Sequence, residues 1–438
     1  MSAVLRRDLR RDYPTIVRGS GVHLFDASGR RYLDAVGGAG VVVIGHGVSE
    51  IGRALAAAPE AVTYVYGAAF TTPWQEELAA RLLRHATPDA AAVYFTSGGS
   101  EANETAVKLA RQYHLERGKP AKHKVIARHH SFHGMTLATV ALSGRPTVRQ
   151  PFEPYLQHVP RIAAPYCYRC PLGARYPDCG VACAGDLERA LREEDPETVA
   201  AVIVEPIIGT TLPAVTPVPE YLARLRAICD RHDILLIADE VLSGYGRTGT
   251  FLALEHFDTR ADIITMGKAI GSGYAALGAV LATGDVVDSL RRGSGVFQHG
   301  FTFSGLPMSC FVGLHVLDYA REHDLFARAI ARGAYLHARL RELADRHPVI
   351  GDVRGRGLLA GLEFVADRTT RTPLDPARRY AATIVAEAER QGVLLRAGLP
   401  GTAGGGDHIQ ICPPYVVGEE HLDEVVDALD RVLDKERP

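Results

Sequence analysis

The chain has 438 residues, 47% of them apolar, and a formal net charge of −2. That length exceeds a usual single domain, so two packed units are expected. Near-zero charge argues against nucleic acid or a polyanionic surface as partner, and no apolar run reaches membrane-spanning length. The start, MSAVLRRDLRRDYP, is basic without the apolar stretch of a signal peptide, which points to a cytoplasmic protein. The seven cysteines are not spread like a secreted disulfide framework.

Residues 1–35 read as a short helix and then a hairpin, because two alternating runs flank the turn Asp26-Ala27-Ser28-Gly29. Gly45-His46 forms a turn before a helix, with His46 expected as a helix-start residue. Periodicity predicts a helix over 76–85 and a strand over 92–95. That strand runs into Thr96-Ser97-Gly98-Gly99-Ser100 and a clear helix. Such a helix start offers free backbone N–H groups to an anion. The same pattern also suits an ordinary cap, with Ser100 at the N-cap.

A strand over 124–127 leads to HHSFHGMTLATVALSG, where Phe132 by itself reads as core. Residues 152–185 are irregular and proline-rich, and they hold Cys167, Cys170, Cys179 and Cys183 at spacings x2, x8 and x3. Four such cysteines suit zinc, an iron–sulfur cluster, disulfides, or reduced thiols packing a long loop. A buried strand over 200–204 ends in Glu205-Pro206, and a helix follows over 221–232.

The apolar run 234–237 ends in Asp239 and Glu240, and the strand 262–266 ends in Gly267-Lys268. Charge at the end of a buried strand needs a reason, since desolvating it without a partner costs several kcal/mol. The chain has only six lysines, and Lys268 alone follows an apolar strand and precedes a glycine-rich turn. An acid and an amine on one sheet rim suit pyridoxal phosphate, which needs a lysine to carry it as a Schiff base and an acid to keep its pyridine nitrogen protonated. The plainer alternative makes Asp239 a loop cap and Lys268 a solvated surface lysine.

Beyond Lys268 come a strand and helix in GAVLATGDVVDSL, then a glycine- and proline-rich turn in which Thr302 reads as a helix cap. A long helix is expected from about 311, strands in GDVRGRGLLAGLEFV, a helix over 376–391, a flexible loop over 401–406, a strand in HIQICPPYVV and a final helix over 419–434. Strand–helix alternation makes the fold α/β with a mostly parallel sheet.

DEVLSGYGRTG (239–249) and TMGKAIGSGYAALGAV (265–280) resemble the class III pyridoxal-phosphate aminotransferases of fold type I, and the resemblance extends over nearly the whole chain. It implies a large cofactor domain over 61–315, with a mostly parallel sheet flanked by helices. A smaller α+β domain would come from both termini, 1–60 and 316–438. It implies pyridoxal 5'-phosphate as cofactor, with Lys268 as its covalent carrier and general base and Asp239 on its pyridine nitrogen. Gly99 and Ser100, together with the partner's Thr302, would hold the phosphate, so the enzyme would be a homodimer with shared active sites. Phe132, where the family more often has tyrosine, and Val241 would sandwich the ring. His133 follows in the same motif, and Glu205 would position the cofactor's neighbours.

The implied reaction moves an amino group from an amine or ω-amino acid to a keto acid. An aminomutase, racemase or decarboxylase of the same fold, or a non-catalytic cofactor-binding protein, are the rivals. Family members that use glutamate commonly carry an arginine on the C-terminal strand, and many gate it with a glutamate after the Glu-Pro pair. Here those positions hold Gln410 and Thr210. Glutamate and 2-oxoglutarate are therefore not expected as the preferred pair, with Arg396 the one nearby substitute.

Overall fold

A computed structural model describes residues 3–57, 62–398 and 407–436. A hairpin of β1 (Ile16–Ser20) and β2 (His23–Asp26) continues into β3 (Arg31–Asp34). No helix precedes it among the described residues, which corrects the expected short one. The Asp8 carboxylate accepts from Arg10 N at 2.9 Å, and the Tyr13 ring lies under Arg6 and Arg11. A side chain that bonds its own backbone two residues on competes with helix.

His46 starts no helix either. It bridges to Gly21, its Nε2 lies 3.1 Å from Asp34 Oδ2, and the helix begins at Ser49. The next helix, Pro73–His85, starts three residues before the expected position, because Thr72 accepts from Gln75 N and Pro73 takes the first turn.

The central sheet uses β4 (Ala90–Thr96), β5 (Lys124–Arg128), β6 (Arg161–Ile162), β7 (Val199–Val204), β8 (Leu235–Asp239), β9 (Ile263–Met266) and β10 (Gly278–Thr283). Their order is β4-β10-β9-β8-β7-β5-β6. Pairings from β9 through β6 are parallel, while β10 runs antiparallel to both of its neighbours. Every residue of β7 and β8 is buried, which is why both read as unbroken apolar runs. The helix Gly99–Glu116 lays Ala102, Ala106, Leu109 and Ala110 into the core.

The expected single long helix is two, Pro307–Glu322 and Leu325–Arg346. Asp324 breaks it by taking a left-handed φ of 50°. The remaining strands are β11 (Ile350–Arg356), β12 (Leu359–Asp367), β13 (Thr372–Pro373), β14 (Val393–Leu394), β15 (Arg396–Ala397) and β16 (Asp407–Ile411). β14 pairs in parallel with β3, so the two ends of the chain share one sheet. The helix expected over 376–391 is a short 3₁₀ turn, Pro376–Arg378, followed by Tyr380–Arg390. The loop over 401–406 and the boundary expected near residue 60 lie outside the described residues.

Candidate active site

β8 and β9 lie side by side, so Asp239 and Lys268 leave the sheet at one rim. Asp239 is 4% exposed. Its Oδ2 accepts from His133 Nδ1 at 2.7 Å and from Asn103 Nδ2 at 2.8 Å, and its Oδ1 accepts from Val241 N at 3.1 Å. A carboxylate only accepts, so the His133 proton sits on Nδ1. Hydrogen bonds to a charged group are worth about 1.5–3 kcal/mol each, and three of them offset the cost of burying this carboxylate. Asn103 is held in turn by Thr265 Oγ1, which donates to its Oδ1 at 2.7 Å, and it donates to His133 O at 2.7 Å. His133 Nε2 is buried and has no partner among the described residues.

Lys268 follows Gly267 at the end of β9 and holds a left-handed φ of 45°. Such backbone costs on the order of 1–3 kcal/mol for a residue with a side chain, and it persists where surrounding structure imposes it. Here Ser272 fixes the turn by accepting from Val43 N at 2.9 Å and Ile44 N at 3.2 Å. Among the described residues the Lys268 ammonium donates no hydrogen bond. Burial lowers its pKa, opposed by the nearby Asp239 charge.

A cavity of about 160 Å³ opens between these groups. Gly99, Ser100, Phe132, His133, Glu205, Asp239, Val241 and Lys268 all line it. Its floor is a cradle without side chains. A Cβ on Gly99 would sit 2.6 Å from Val241 Cγ1, and one on Gly134 2.6 Å from Ser100 Oγ. The residue at the helix N-cap is Gly98, not Ser100, whose Oγ accepts instead from Met135 N at 3.1 Å. Glu205 accepts from Phe132 N at 3.3 Å and Gly209 N at 3.0 Å, and burial raises its pKa.

The C-terminal sheet braces the Gly209–Thr210 segment at the edge of the cavity. Gln410 on β16 donates to Gly209 O at 2.8 Å, and Thr210 lines the cavity. Arg396 on β15 is the direct cross-strand partner of Gln410, with Nη1 3.4 Å from its Oε1. Arg396 forms no ion pair among the described residues, and burial lowers its pKa.

Thr302 is exposed and lies outside the cavity lining. It does not cap the following helix either, since that helix starts at Pro307 with Leu306 at its N-cap. Cys167, Cys170, Cys179 and Cys183 are all free thiols. Each of the other three raises the pKa of Cys183, after burial, so they lie near one another. Yet no three His, Cys, Asp or Glu side chains among the described residues converge to hold a metal. Their loop is tied to the C-terminal sheet through Glu363, which accepts from Tyr166, from Arg169 Nε at 2.5 Å and from Arg354 Nη1 at 2.7 Å.

One residue of this site escaped the sequence reading: Asn103, although a polar side chain on the buried stripe of its helix marks it.

The unbonded amine, the fixed carboxylate, the orphaned His133 Nε2 and the glycine cradle at a helix N-terminus all fit pyridoxal phosphate. Fold and cavity together are those of a fold type I pyridoxal-phosphate enzyme. A family model described as Aminotransferase class-III matches residues 8–433. The uncharacterized aminotransferase YodT of Bacillus subtilis is 37% identical over 97% of this chain and 96% of its own. A diaminobutyrate–2-oxoglutarate transaminase of Halomonas elongata is 34% identical over 96% and 90%. Among solved structures, an amine transaminase from an uncultivated Pseudomonas species, in its PLP-bound form, superposes with a TM-score of 0.92 at 34% identity, covering 99% of this chain and 98% of that one. An (S)-enantioselective omega-transaminase from Thermomicrobium roseum gives 0.90 at 34%, over 97% and 93%.

The chain belongs to the class III aminotransferases. It is a pyridoxal-phosphate-dependent transaminase that moves an amino group from an amine donor to a keto acid.

Proposed function

We propose that the donor is an amine or ω-amino acid and that the preferred acceptor is a keto acid with one carboxylate, such as pyruvate. The cross-strand pair Arg396–Gln410 carries this reading. A neutral glutamine stands where glutamate-using members commonly have arginine, and it lacks the charge-assisted two-point contact that arginine gives. With Thr210 in place of a gating glutamate, Arg396 has no acidic partner among the described residues. One guanidinium without an ion pair there suits one carboxylate next to the reacting carbon. The omega-transaminases and amine transaminase among the similar structures support the same donor class.

Bound in this cavity, pyridoxal phosphate supplies an electron sink for negative charge at the donor's amine-bearing carbon. Lys268 holds the cofactor between turnovers and takes the proton from that carbon. The burial that lowers its pKa enlarges the neutral share able to do so. Asp239, braced by His133 and Asn103, keeps the pyridine nitrogen protonated. Phe132 and Val241 wall the ring, and Gly99 and Ser100 hold the phosphate with help from the partner's Thr302. Glu205 fixes Phe132 and Gly209 through their N–H groups.

The assembly in this reading is a cytoplasmic homodimer, each subunit having a cofactor domain over 61–315 and a smaller domain from both termini. Exposed Tyr66, Phe70 and Phe303, the last beside Thr302, support a partner surface. No helix among the described residues is long and apolar enough to cross a membrane.

Steady-state kinetics with a panel of donors tests the reading. Product release should require an acceptor, unlike a racemase, mutase or decarboxylase. Pyruvate should exceed 2-oxoglutarate in kcat/KM by about tenfold or more, the equivalent of one good contact. A clear preference for 2-oxoglutarate would overturn it.

A further inference from the structure

Thr265 is a polar residue in an apolar strand. Its neighbours Ile263, Ile264 and Met266 belong to the buried core, and Thr265 is as fully buried as they are. A hydroxyl in that setting needs a partner. It has one, because Oγ1 donates to Asn103 Oδ1 at 2.7 Å. Thr265 is also the parallel cross-strand partner of Asp239, and its carbonyl accepts from Glu240 N at 2.9 Å. β9 thus sets this hydroxyl beside the carboxylate's strand and delivers Lys268 three residues later.

The donors and acceptors around Asn103 fix which way its amide lies. The residue is 1% exposed, so bulk water does not complete its bonds. Asp239 Oδ2 at 2.8 Å and His133 O at 2.7 Å both only accept, so both face Nδ2 and its two protons. Oδ1 is left to the Thr265 hydroxyl, which is its donor among the described residues. Without that hydroxyl, Oδ1 is buried and unpaired. A half-turn of the amide would set the oxygen against two acceptors, and a smaller turn draws Nδ2 off Asp239.

We propose that Thr265 is a positioning residue for the cofactor: acting through Asn103, its hydroxyl holds the Asp239 carboxylate on the pyridine nitrogen. This role rests on the reading of Asp239 as that nitrogen's partner. It makes β9 serve the cofactor twice, through the covalent carrier and through the aim of the acid.

The test measures the affinity of the apoenzyme, by fluorescence titration, for pyridoxal phosphate and for its 1-deaza analogue, in which a carbon replaces the ring nitrogen. The analogue keeps the aldehyde and the phosphate but gives Asp239 nothing to hold. Wild type should favour the cofactor over the analogue, and Asp239→Asn should erase that preference. Thr265→Val keeps the shape and removes the hydroxyl. It should bind the cofactor about three- to tenfold more weakly, the range of one buried hydrogen bond, with affinity for the analogue within about twofold of wild type. Thr265→Ala, read the same way, gives the loss independently of how valine packs. Thr265→Ser keeps the hydroxyl and should hold cofactor affinity within about twofold of wild type. Asn103→Ala should also weaken cofactor binding, and adding Thr265→Val to it should cost nothing more, because the two act as one chain. Equal losses for cofactor and analogue in Thr265→Val overturn the proposal by making the residue a matter of packing alone. Unchanged cofactor affinity in Thr265→Val overturns it too, as do additive losses in the double variant or a Thr265→Ser variant no better than Thr265→Val. If Asp239→Asn leaves the preference for the cofactor intact, the Asp239 reading itself falls and takes this proposal with it.

Discussion

His133 Nδ1 lies 2.7 Å from Asp239 Oδ2, with both side chains buried, so the imidazole fixes the carboxylate that faces the cavity. Asn103 holds the same oxygen from the other side. The carboxylate's charge and its direction thus depend on different residues, and they can be separated by mutation.

Asp239→Asn removes the charge and keeps the shape. Turnover should fall by about 10³-fold or more, since a neutral amide does not hold a protonated pyridine. Unfolding temperature should stay within a few degrees of wild type. His133→Ala should keep the charge but loosen its direction, with a smaller loss of about 10- to 100-fold, the scale seen when a supporting hydrogen bond is removed. Single-turnover kinetics with a saturating donor measures both.

Gly99→Ala places a methyl group 2.6 Å from Val241 Cγ1, closer than real side chains approach. Either Val241 shifts or the helix start does, and both belong to the cofactor cradle. Cofactor affinity of the apoenzyme, read by fluorescence titration, should drop by about tenfold or more, the equivalent of about 1.4 kcal/mol. Adding Val241→Ala makes room for the methyl and should restore part of the affinity. A single variant with normal affinity would remove Gly99 from the cradle.

Glu240 neighbours Asp239 but turns away from the cavity, accepting from Ser243 Oγ at 2.6 Å and Leu254 N at 2.9 Å. Burial raises its pKa from 4.5 to about 7. The folded state therefore holds a proton that the unfolded chain releases between those values. The contribution is full below pH 4.5 and is lost as pH rises through 7, on the order of 3 kcal/mol in all. Glu240→Gln removes that dependence while keeping an acceptor for Leu254 N. Thermal unfolding should show the variant a few degrees more stable than wild type at pH 8.5 and level with it near pH 5.

Much of this site was legible because buried strands announce their ends. The apolar runs of β7, β8 and β9 stop at Glu205, Asp239 and Lys268, and all three reach one cavity. What failed depended on contacts distant in sequence. The basic N-terminal stretch looked helical, yet Arg11 pairs with Glu389, and Asp8 bonds its own backbone. The break at Asp324 lies in an otherwise continuous helical pattern and shows only in its backbone angle. The role expected of Thr302 involves a second subunit, so it has no signature within one chain.

The central claim is that Lys268 is the lysine that holds the cofactor, and one measurement reaches it directly. The yellow holoenzyme is reduced with borohydride, which fixes pyridoxal phosphate to its lysine, and the digested protein is mapped by mass spectrometry. With six lysines in the chain, the assignment is unambiguous. The account predicts the label on Lys268 alone, and no covalent label in Lys268→Ala. A label on Lys108, Lys119, Lys122, Lys124 or Lys435 would contradict it.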